Sequence, residues 1–222
     1  IIVRGESNDI AVRPAWKRYL QRHFLGLFHS CLYIGKANKE FYLSRRVPST
    51  ALFYCPCFVE NQRFQQDAVG AHGAAESLRA GWGAAEKDTV FVFVGKLQRK
   101  KCPHHLLKAF VDARSRGGGM VLVFIGDGEM RESLEREARQ SGMPIQFPGF
   151  INQHEIGRYY QAADCLVLPS DSGETWGLVV NEAMNFGLPV IVSDQVGCAR
   201  DLVYDRGTGY VFPQGDQAVL SL

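Results

Sequence analysis

Short apolar runs alternate with helical patterns over residues 90–193. The runs are rich in β-branched and aromatic residues and stop at glycine, proline or serine, which is typical of buried parallel strands. Between them, apolar residues recur every three or four positions, as on one face of a helix. This alternation predicts β-α-β units around a parallel sheet that is buried on both faces. The predicted strands are 90–94, 120–125, 145–147, 165–169 and 189–193, and the predicted helices are 103–116, 129–140, 155–163 and 178–186.

A second, smaller α/β pattern precedes this region. It consists of strand 1–3, helix 14–28, strand 32–34, helix 38–44 and strand 51–54. Three short strands are too few to close a sheet of their own. Residues 61–87 are rich in alanine, glycine and glutamine, which predicts a linker with at most one loose helix.

These patterns divide the chain into part of one domain over 1–60, the linker, and a nearly complete second domain over 88–222. The chain begins without methionine inside an apolar run and ends in an unfinished helical pattern at 218–222. We therefore expect a fragment of a longer protein, with its last helix truncated.

Composition agrees with a folded globular protein, since 46% of the 222 residues are hydrophobic and 22% are charged. Lys and Arg total 25 against 23 Asp and Glu, and the net charge of +2 gives no field that would attract nucleic acid. No run reaches the roughly 18 apolar residues of a membrane span, and no signal peptide is recognisable. The six cysteines show neither C-x-x-C nor Cys/His ligand spacing, so we expect reduced thiols in a cytoplasmic protein.

Two carboxylates flank the point where predicted strand 165–169 gives way to the next helix. Glu174 lies in the polar loop and Glu182 about one turn inside the helix. Open α/β sheets bind ligands at such a point, and a helix start offers free N–H groups to an anion. A phosphate between two hydroxyl-binding carboxylates indicates a sugar nucleotide. For each glutamate taken alone, a solvated surface residue is the alternative.

The segment 174–190 resembles the E-x7-E signature of retaining family 4 glycosyltransferases, commonly written E-G-F-G-L-x-x-x-E-A-M-x-x-G-x-P-V. Thr175 and Trp176 replace the Gly and Phe of the commonest form. Other motifs follow the family's order and spacing. They are V-G-K-L at 94–97 with Lys101, G-D-G at 126–128, F-x-G at 147–149 and G-T-G at 207–209. The resemblance covers 88–216 and implies the GT-B architecture, in which two Rossmann-like domains face each other across a cleft; residues 1–60 resemble the end of the first domain more weakly.

The resemblance also implies roles for these residues. Glu182 would accept hydrogen bonds from the ribose hydroxyls, and Glu174 from hydroxyls of the donor sugar. The resemblance also implies which other residues form the donor site. The nucleobase would contact backbone groups of Gly149, Phe150 and Ile151. The rest of the donor would contact Gly95, Thr175, Trp176, Gly177 and Leu178. The expected donor is a UDP- or GDP-sugar, and these backbone positions do not identify the base.

Lys96 and Lys101 follow the strand 90–94 and can face the cleft at its carboxyl end. A diphosphate leaving group gains negative charge as the glycosidic bond breaks, so fixed cations beside it stabilise the transition state more than the ground state. We take these lysines and Glu174 as the catalytic candidates. A solvated basic run is the alternative. Where the family usually has Arg, Lys96 supplies a point charge in place of a bidentate fork.

No Asp-x-Asp pair occurs in the sequence, although Mg²⁺ or Mn²⁺ carrying the diphosphate would favour one. We therefore expect neither a metal nor a cofactor, with the lysines and the helix start acting as the electrophile. The resemblance implies retention by front-face attack. In that reaction the leaving phosphate helps to deprotonate the acceptor, and no protein nucleophile is expected.

Two features of the first 60 residues have open interpretations. Arg4 and Glu6 follow the first strand and would contact sugar or acceptor in the cleft, unless they only form a strand-end turn. Helix 14–28 is basic and amphipathic. We favour packing of its apolar face onto the sheet (Trp16, Leu20, Phe24 and Leu27) over a peripheral contact with an anionic membrane.

The combined expectation is a glycosyltransferase that moves a sugar from a nucleoside diphosphate to a hydroxyl of a saccharide or lipid-linked acceptor, in synthesis of a surface polysaccharide or glycolipid. The fragment alone should be inactive, because half the cleft is missing. A GT-B epimerase or phosphorylase, and a non-catalytic sugar-nucleotide-binding module, stay open. A dinucleotide oxidoreductase is disfavoured, since Arg131 occupies the third glycine position of G-x-G-x-x-G. On a helix beside a basic run, His104 and His105 are interpreted as solvated.

Overall fold

The computed structural model describes residues 1–10, 13–70, 72–204 and 207–220, with no account of the side chains of 68–70 and 72. Two parallel sheets organise these residues, one of three strands near the start of the chain and one of six strands in the remainder. Every strand pair in both sheets is parallel. The predicted α/β class is therefore confirmed.

The small sheet has the order β1-β2-β3. Its strands are β1 (Ile2–Arg4), β2 (Ser30–Tyr33) and β3 (Leu52–Tyr54), connected by helices α1 (Ala15–Leu25) and α2 (Lys36–Ser44). Helix α2 packs Phe41 and Tyr42 against Cys31 and Val47 to form a small core. This arrangement places the ends of β1 and β2 next to the second sheet.

Two helices occupy the segment that the sequence interpretation treats as a linker. They are α3 (Asn61–Gly70) and α4 (His72–Gly81). Phe64 of α3 is buried, and its ring centroid lies 5.9 Å from that of Phe186. Trp82, which follows α4, is also buried, and its ring centroid lies 6.0 Å from that of Tyr159. The expectation of one loose helix was wrong, because a few large aromatic side chains anchor a segment that is otherwise small and polar.

The large sheet has the strand order β6-β5-β4-β7-β8-β9. Its strands are β4 (Thr89–Val94), β5 (Met120–Ile125), β6 (Ile145–Gly149), β7 (Cys165–Leu168), β8 (Val190–Ser193) and β9 (Gly209–Phe212). Its helices are α5 (Pro103–Ser115), α6 (Arg131–Ser141), α7 (Ile156–Gln161), α8 (Leu178–Met184) and α9 (Gln217–Leu220). This is the doubly wound, Rossmann-like order, with β4 and β5 buried on both faces.

The strand order of the large sheet reverses between β4 and β7. From β4 the sheet grows outward through β5 and β6, and from β7 it grows the other way through β8 and β9. The loops after β4 and β7 therefore separate and leave a crevice at the carboxyl ends of these strands, where open α/β sheets bind ligands.

Candidate functional site

Three glycine loops form one wall of this crevice. The N–H of Gly95 donates to the carbonyl of Ile125 at 2.9 Å, and the N–H of Gly126 donates to the carbonyl of Gly149 at 2.8 Å. A Cβ added to Gly126 would lie 2.0 Å from the carbonyl oxygen of Gly95. Only glycine lets these backbones approach so closely, so the motifs at 94–97, 126–128 and 147–149 lie side by side.

A cavity of about 410 Å³ opens above these loops. Five of the predicted site residues line it: Gly95, Lys96, Phe150, Ile151 and Glu182. We call it the Glu182 pocket. Its walls are mainly apolar, with three charged side chains (Lys96, Asp127 and Glu182), as is usual for a pocket that binds a small organic molecule.

Glu182 is only 8% exposed, so the alternative of a surface helix residue was wrong. The hydroxyl of Tyr160 donates to its Oε2 at 2.7 Å. Burial raises the pKa of the Glu182 carboxyl, although the hydrogen bond from Tyr160 and the charge of Arg63 oppose the shift. Sequence reasoning missed Tyr160, because one tyrosine in an apolar helix gives no sign that its hydroxyl meets a carboxylate.

Lys101 and Glu174 meet across the crevice. Lys101 ends a single 3₁₀ turn after β4, and its ammonium forms an ion pair with Oε2 of Glu174, which follows β7. The exposed fraction of each side chain is 14%. The alternatives of a solvated lysine and a solvated loop glutamate are therefore wrong for this pair.

Gly95 joins the ion pair to the Glu182 pocket. It lines the pocket, and a Cβ added to it would lie 3.9 Å from the Nζ of Lys101. Lys96 is exposed, and no hydrogen bond or ion pair of its side chain occurs within the described part of the chain. The structure thus brings both predicted lysines and both predicted glutamates to one end of the sheet.

The loop that carries Glu174 is held by a second loop, after β8, that sequence reasoning did not identify. The N–H of Gly197 donates to the carbonyl of Glu174, and the N–H of Cys198 donates to that of Trp176, each at 3.0 Å. The Trp176 indole is buried and donates to Asn181 at 2.8 Å. Trp176 therefore shapes the loop from the core.

Helix α8 starts at Leu178, after Gly177 with φ 100°. It has only seven residues and ends at Met184, short of the predicted Phe186. A helix of two turns has a small dipole, so most of the positive charge near a bound anion would come from the lysines.

The small sheet contacts this site through its strand-end loops. Arg4 and Glu6 form an ion pair, with 3.9 Å between Nη2 of Arg4 and Oε1 of Glu6. The hydroxyl of Thr175 donates to Oε2 of Glu6 at 3.3 Å. The backbone N–H of Lys36, at the start of α2, lies 3.1 Å from both carboxylate oxygens of Asp201. Arg4 and Glu6 thus border the site without lining the Glu182 pocket.

Helix α1 does not pack as expected. Its predicted core residues Trp16, Leu20, Phe24 and the following Leu27 are 56–68% exposed. The favoured interpretation was wrong, because the three short strands offer little surface and α1 buries only Leu25 among its described residues.

His104 and His105 are half-buried, with ring centroids 4.2 Å apart, so the solvated interpretation was also wrong. Burial and the adjacent cations lower the pKa of His104. Neither ring lines the Glu182 pocket.

Comparison with known proteins identifies the family of this chain. Residues 75–221 match the model of the family described as glycosyl transferases group 1. The chain therefore belongs to this glycosyltransferase family.

Individual relatives are similar over different lengths. A sulfoquinovosyl transferase of Arabidopsis thaliana is 37% identical over 141 residues, which is 63% of this chain and 26% of that protein. An alpha-1,4-N-acetyl-D-galactosaminyltransferase of Campylobacter jejuni, named for a PP-undecaprenol-linked glycan, is 25% identical over all 222 residues and 56% of its own length. The chain thus spans between a quarter and slightly more than half of these proteins.

A crystal structure of Anabaena HepE in complex with UDP has a TM-score of 0.81 at 16% identity and covers 99% of this chain and 60% of that one. At this identity the likeness shows the fold, and it supports the GT-B architecture. Among the described helices, none has both the length and the apolar composition needed to cross a membrane.

Proposed function

We propose that this chain carries the donor-binding part of a retaining family 4 glycosyltransferase. The enzyme would transfer a sugar from a nucleoside diphosphate to a hydroxyl acceptor in synthesis of a surface polysaccharide or glycolipid. The observation that carries the proposal is the juxtaposition at the β4/β7 crevice. There the Lys101–Glu174 pair adjoins, through Gly95, a pocket lined by Lys96 and Glu182.

Each part of the site has a role in this proposal. The nucleoside occupies the Glu182 pocket, with its base against the backbone of Phe150 and Ile151. The diphosphate lies between Lys96 and Lys101, and the donor sugar reaches Glu174. As the glycosidic bond breaks, the two ammonium groups stabilise the charge that develops on the leaving diphosphate.

The stereochemistry and the metal requirement belong to the same proposal. The acceptor hydroxyl attacks from the face of the departing phosphate, which takes the hydroxyl proton, so the anomeric configuration is retained without a protein nucleophile. Because the lysines supply the positive charge, transfer should not need Mg²⁺ or Mn²⁺. Equal rates with EDTA and with added Mg²⁺ would support this.

The acceptor would enter from the side of the small sheet, where Arg4, Glu6 and Thr175 meet. The name of the Campylobacter relative includes a lipid-linked glycan, which supports a saccharide or lipid-linked acceptor here. The rival functions are an epimerase or phosphorylase of the same architecture, and a module that binds sugar nucleotides without catalysis. Sugar transfer by the full-length protein separates glycosyltransferase activity from all three.

The replacement of Glu182 by glutamine tests the donor site with the chain itself. We expect Glu182→Gln to weaken UDP or GDP binding roughly tenfold, because an amide accepts hydroxyl hydrogen bonds more weakly than a carboxylate. Binding of the 2′,3′-dideoxy nucleotide should not change. The melting temperature should stay the same or rise slightly, since burial disfavours the charged form that the variant removes. Titration calorimetry and thermal unfolding measure both, and a large loss of stability would mark Glu182 as structural.

Helix α1, in the small sheet's part of the chain, has an exposed face that could bind a surface near the acceptor. Aromatic side chains and four basic residues (Lys17, Arg18, Arg22 and His23) share a helix without acidic residues. We propose that this face contacts an anionic membrane, with each cation near the surface contributing about 1 kcal/mol.

Vesicle sedimentation tests this contact. The chain should bind vesicles containing phosphatidylglycerol and not those of phosphatidylcholine alone. The double variant Arg18→Glu/Arg22→Glu should reduce binding at least roughly tenfold. A matched control, Arg136→Glu/Arg139→Glu, reverses two exposed charges on α6 and should bind normally. Equal binding by both variants would exclude α1 as the contact surface.

A further inference from the structure

Tyr160 lies beneath the Glu182 pocket and has no solvent exposure. Its ring stacks on Phe186, with centroids 5.5 Å apart and planes inclined by 28°. A ring packed in this way cannot change rotamer without disturbing the core, so its hydroxyl position is fixed. That hydroxyl donates to Oε2 of Glu182 at 2.7 Å, which in turn fixes the carboxylate.

The two oxygens of Glu182 therefore differ. Oε2 is occupied by Tyr160, whereas no hydrogen bond to Oε1 occurs within the residues that the structure describes. Glu182 also lines the pocket together with Lys96 and Ile151. A carboxylate with one oxygen held from behind keeps the other as an acceptor for a ligand hydroxyl.

We propose that Tyr160 is a positioning residue that orients Glu182 toward the ribose hydroxyls of the nucleoside diphosphate and so makes the pocket selective for ribonucleotides. This inference rests on the proposed donor site. It adds a residue outside the E-x7-E segment, 22 positions away in sequence from the carboxylate it holds.

The charges around Glu182 determine how pH should act. Burial raises its pKa, while the Tyr160 hydroxyl and Arg63 of α3 lower it. Lys96 and Asp127 are the other charged groups that line the pocket. Ribose hydroxyls need the carboxylate as acceptor, so ribonucleotide affinity falls as pH falls through this pKa. Removal of the Tyr160 hydroxyl removes a hydrogen bond that stabilises the charged form of Glu182, and this raises the pKa of Glu182. The loss of ribonucleotide affinity should then occur at higher pH.

The test compares UDP with 2′,3′-dideoxy-UDP by titration calorimetry between pH 5 and pH 8. The two nucleotides have the same diphosphate titration, so the ratio of their affinities isolates the ribose contact. At neutral pH, Tyr160→Phe should lower this ratio roughly tenfold, and the midpoint of its pH dependence should move upward. Tyr159→Phe is the matched control, since Tyr159 is a buried neighbour in α7 that packs on Trp82. It should leave the ratio and the midpoint unchanged.

Different failures separate the inference from the proposed function. If Glu182→Gln lowers the ratio but Tyr160→Phe changes neither ratio nor midpoint, the donor site stands and the role of Tyr160 is wrong. Equal weakening of both nucleotides by Tyr160→Phe would mean a structural role only, and would also overturn the inference. Failure of the unmodified chain to prefer UDP would overturn both.

A ligand-free measurement provides a second readout. Carboxyl-carbon NMR should show Glu182 titrating at higher pH in Tyr160→Phe than in the unmodified chain. An unchanged titration midpoint would overturn the inference even if the variant bound nucleotides weakly.

Discussion

Lys101→Ala should weaken the binding of UDP or GDP by roughly 10- to 100-fold while leaving nucleoside binding almost unchanged. The lysine lies beside Gly95 at the end of the Glu182 pocket and is largely shielded from water. A shielded ammonium contributes more to phosphate binding than a solvated one. The nucleoside lacks the diphosphate and should not sense the loss. Calorimetry with UDP and uridine measures the difference.

Two variants separate the phosphate contact from side effects. Lys101→Ala alone leaves Glu174 as an uncompensated, mostly buried charge, which also costs stability. The double variant Lys101→Ala/Glu174→Gln removes that charge, and its UDP affinity should remain reduced. Lys100→Ala removes an exposed neighbouring cation and serves as the control. Equal losses of affinity for UDP and for uridine would show that Lys101 does not bind the diphosphate.

The ion pair also predicts an effect of opposite sign. In the ligand-free chain, Glu174 competes with a phosphate for Lys101 and adds a negative charge beside it. Glu174→Gln should therefore bind UDP severalfold more tightly, although sugar transfer by the full-length protein should fall. Weaker UDP binding by this variant would mean that the ion pair organises the site instead of competing with the ligand.

Gly197→Ala should be among the most damaging single-methyl substitutions in the chain. Its added Cβ would lie 1.8 Å from the carbonyl oxygen of Thr175, so the loop carrying Glu174 must move. We expect a loss of about 3 kcal/mol of unfolding free energy, together with loss of the hydrogen bond to the Glu174 carbonyl. The melting temperature should fall by roughly 6–12 °C, which thermal unfolding measures.

Gly81→Ala is the matched control, because among the described residues no atom outside its chain neighbours and its own helix backbone lies within 4 Å of its added Cβ. Alanine is also the better helix former in α4, so this variant should be as stable as the unmodified chain or slightly more stable. If Gly197→Ala melts like this control, the loop after β8 does not hold Glu174 in solution.

Sequence reasoning located most of the large domain. The strands β4, β5, β7 and β8 and their helices lie close to the predicted ranges, since hydrophobic periodicity and glycine or proline boundaries are local signals. It missed β9, which has an apolar run of only three residues and in which two of the four residues are exposed. It also underestimated α3 and α4, where a weak helical pattern is stabilised by a few distant aromatic contacts.

The candidate site also has a part that the sequence predicts and a part that only the structure shows. The sequence by itself determined which residue types follow which strand, and so placed Lys96, Lys101 and Glu174 in strand-end loops. Only the tertiary structure decided that Lys101 meets Glu174, 73 positions away, and that Tyr160 holds Glu182. It also decided that α1 exposes its apolar face. Such pairings depend on which strands become neighbours and which surfaces a sheet can cover, and these are global properties of the packed chain that no local pattern encodes.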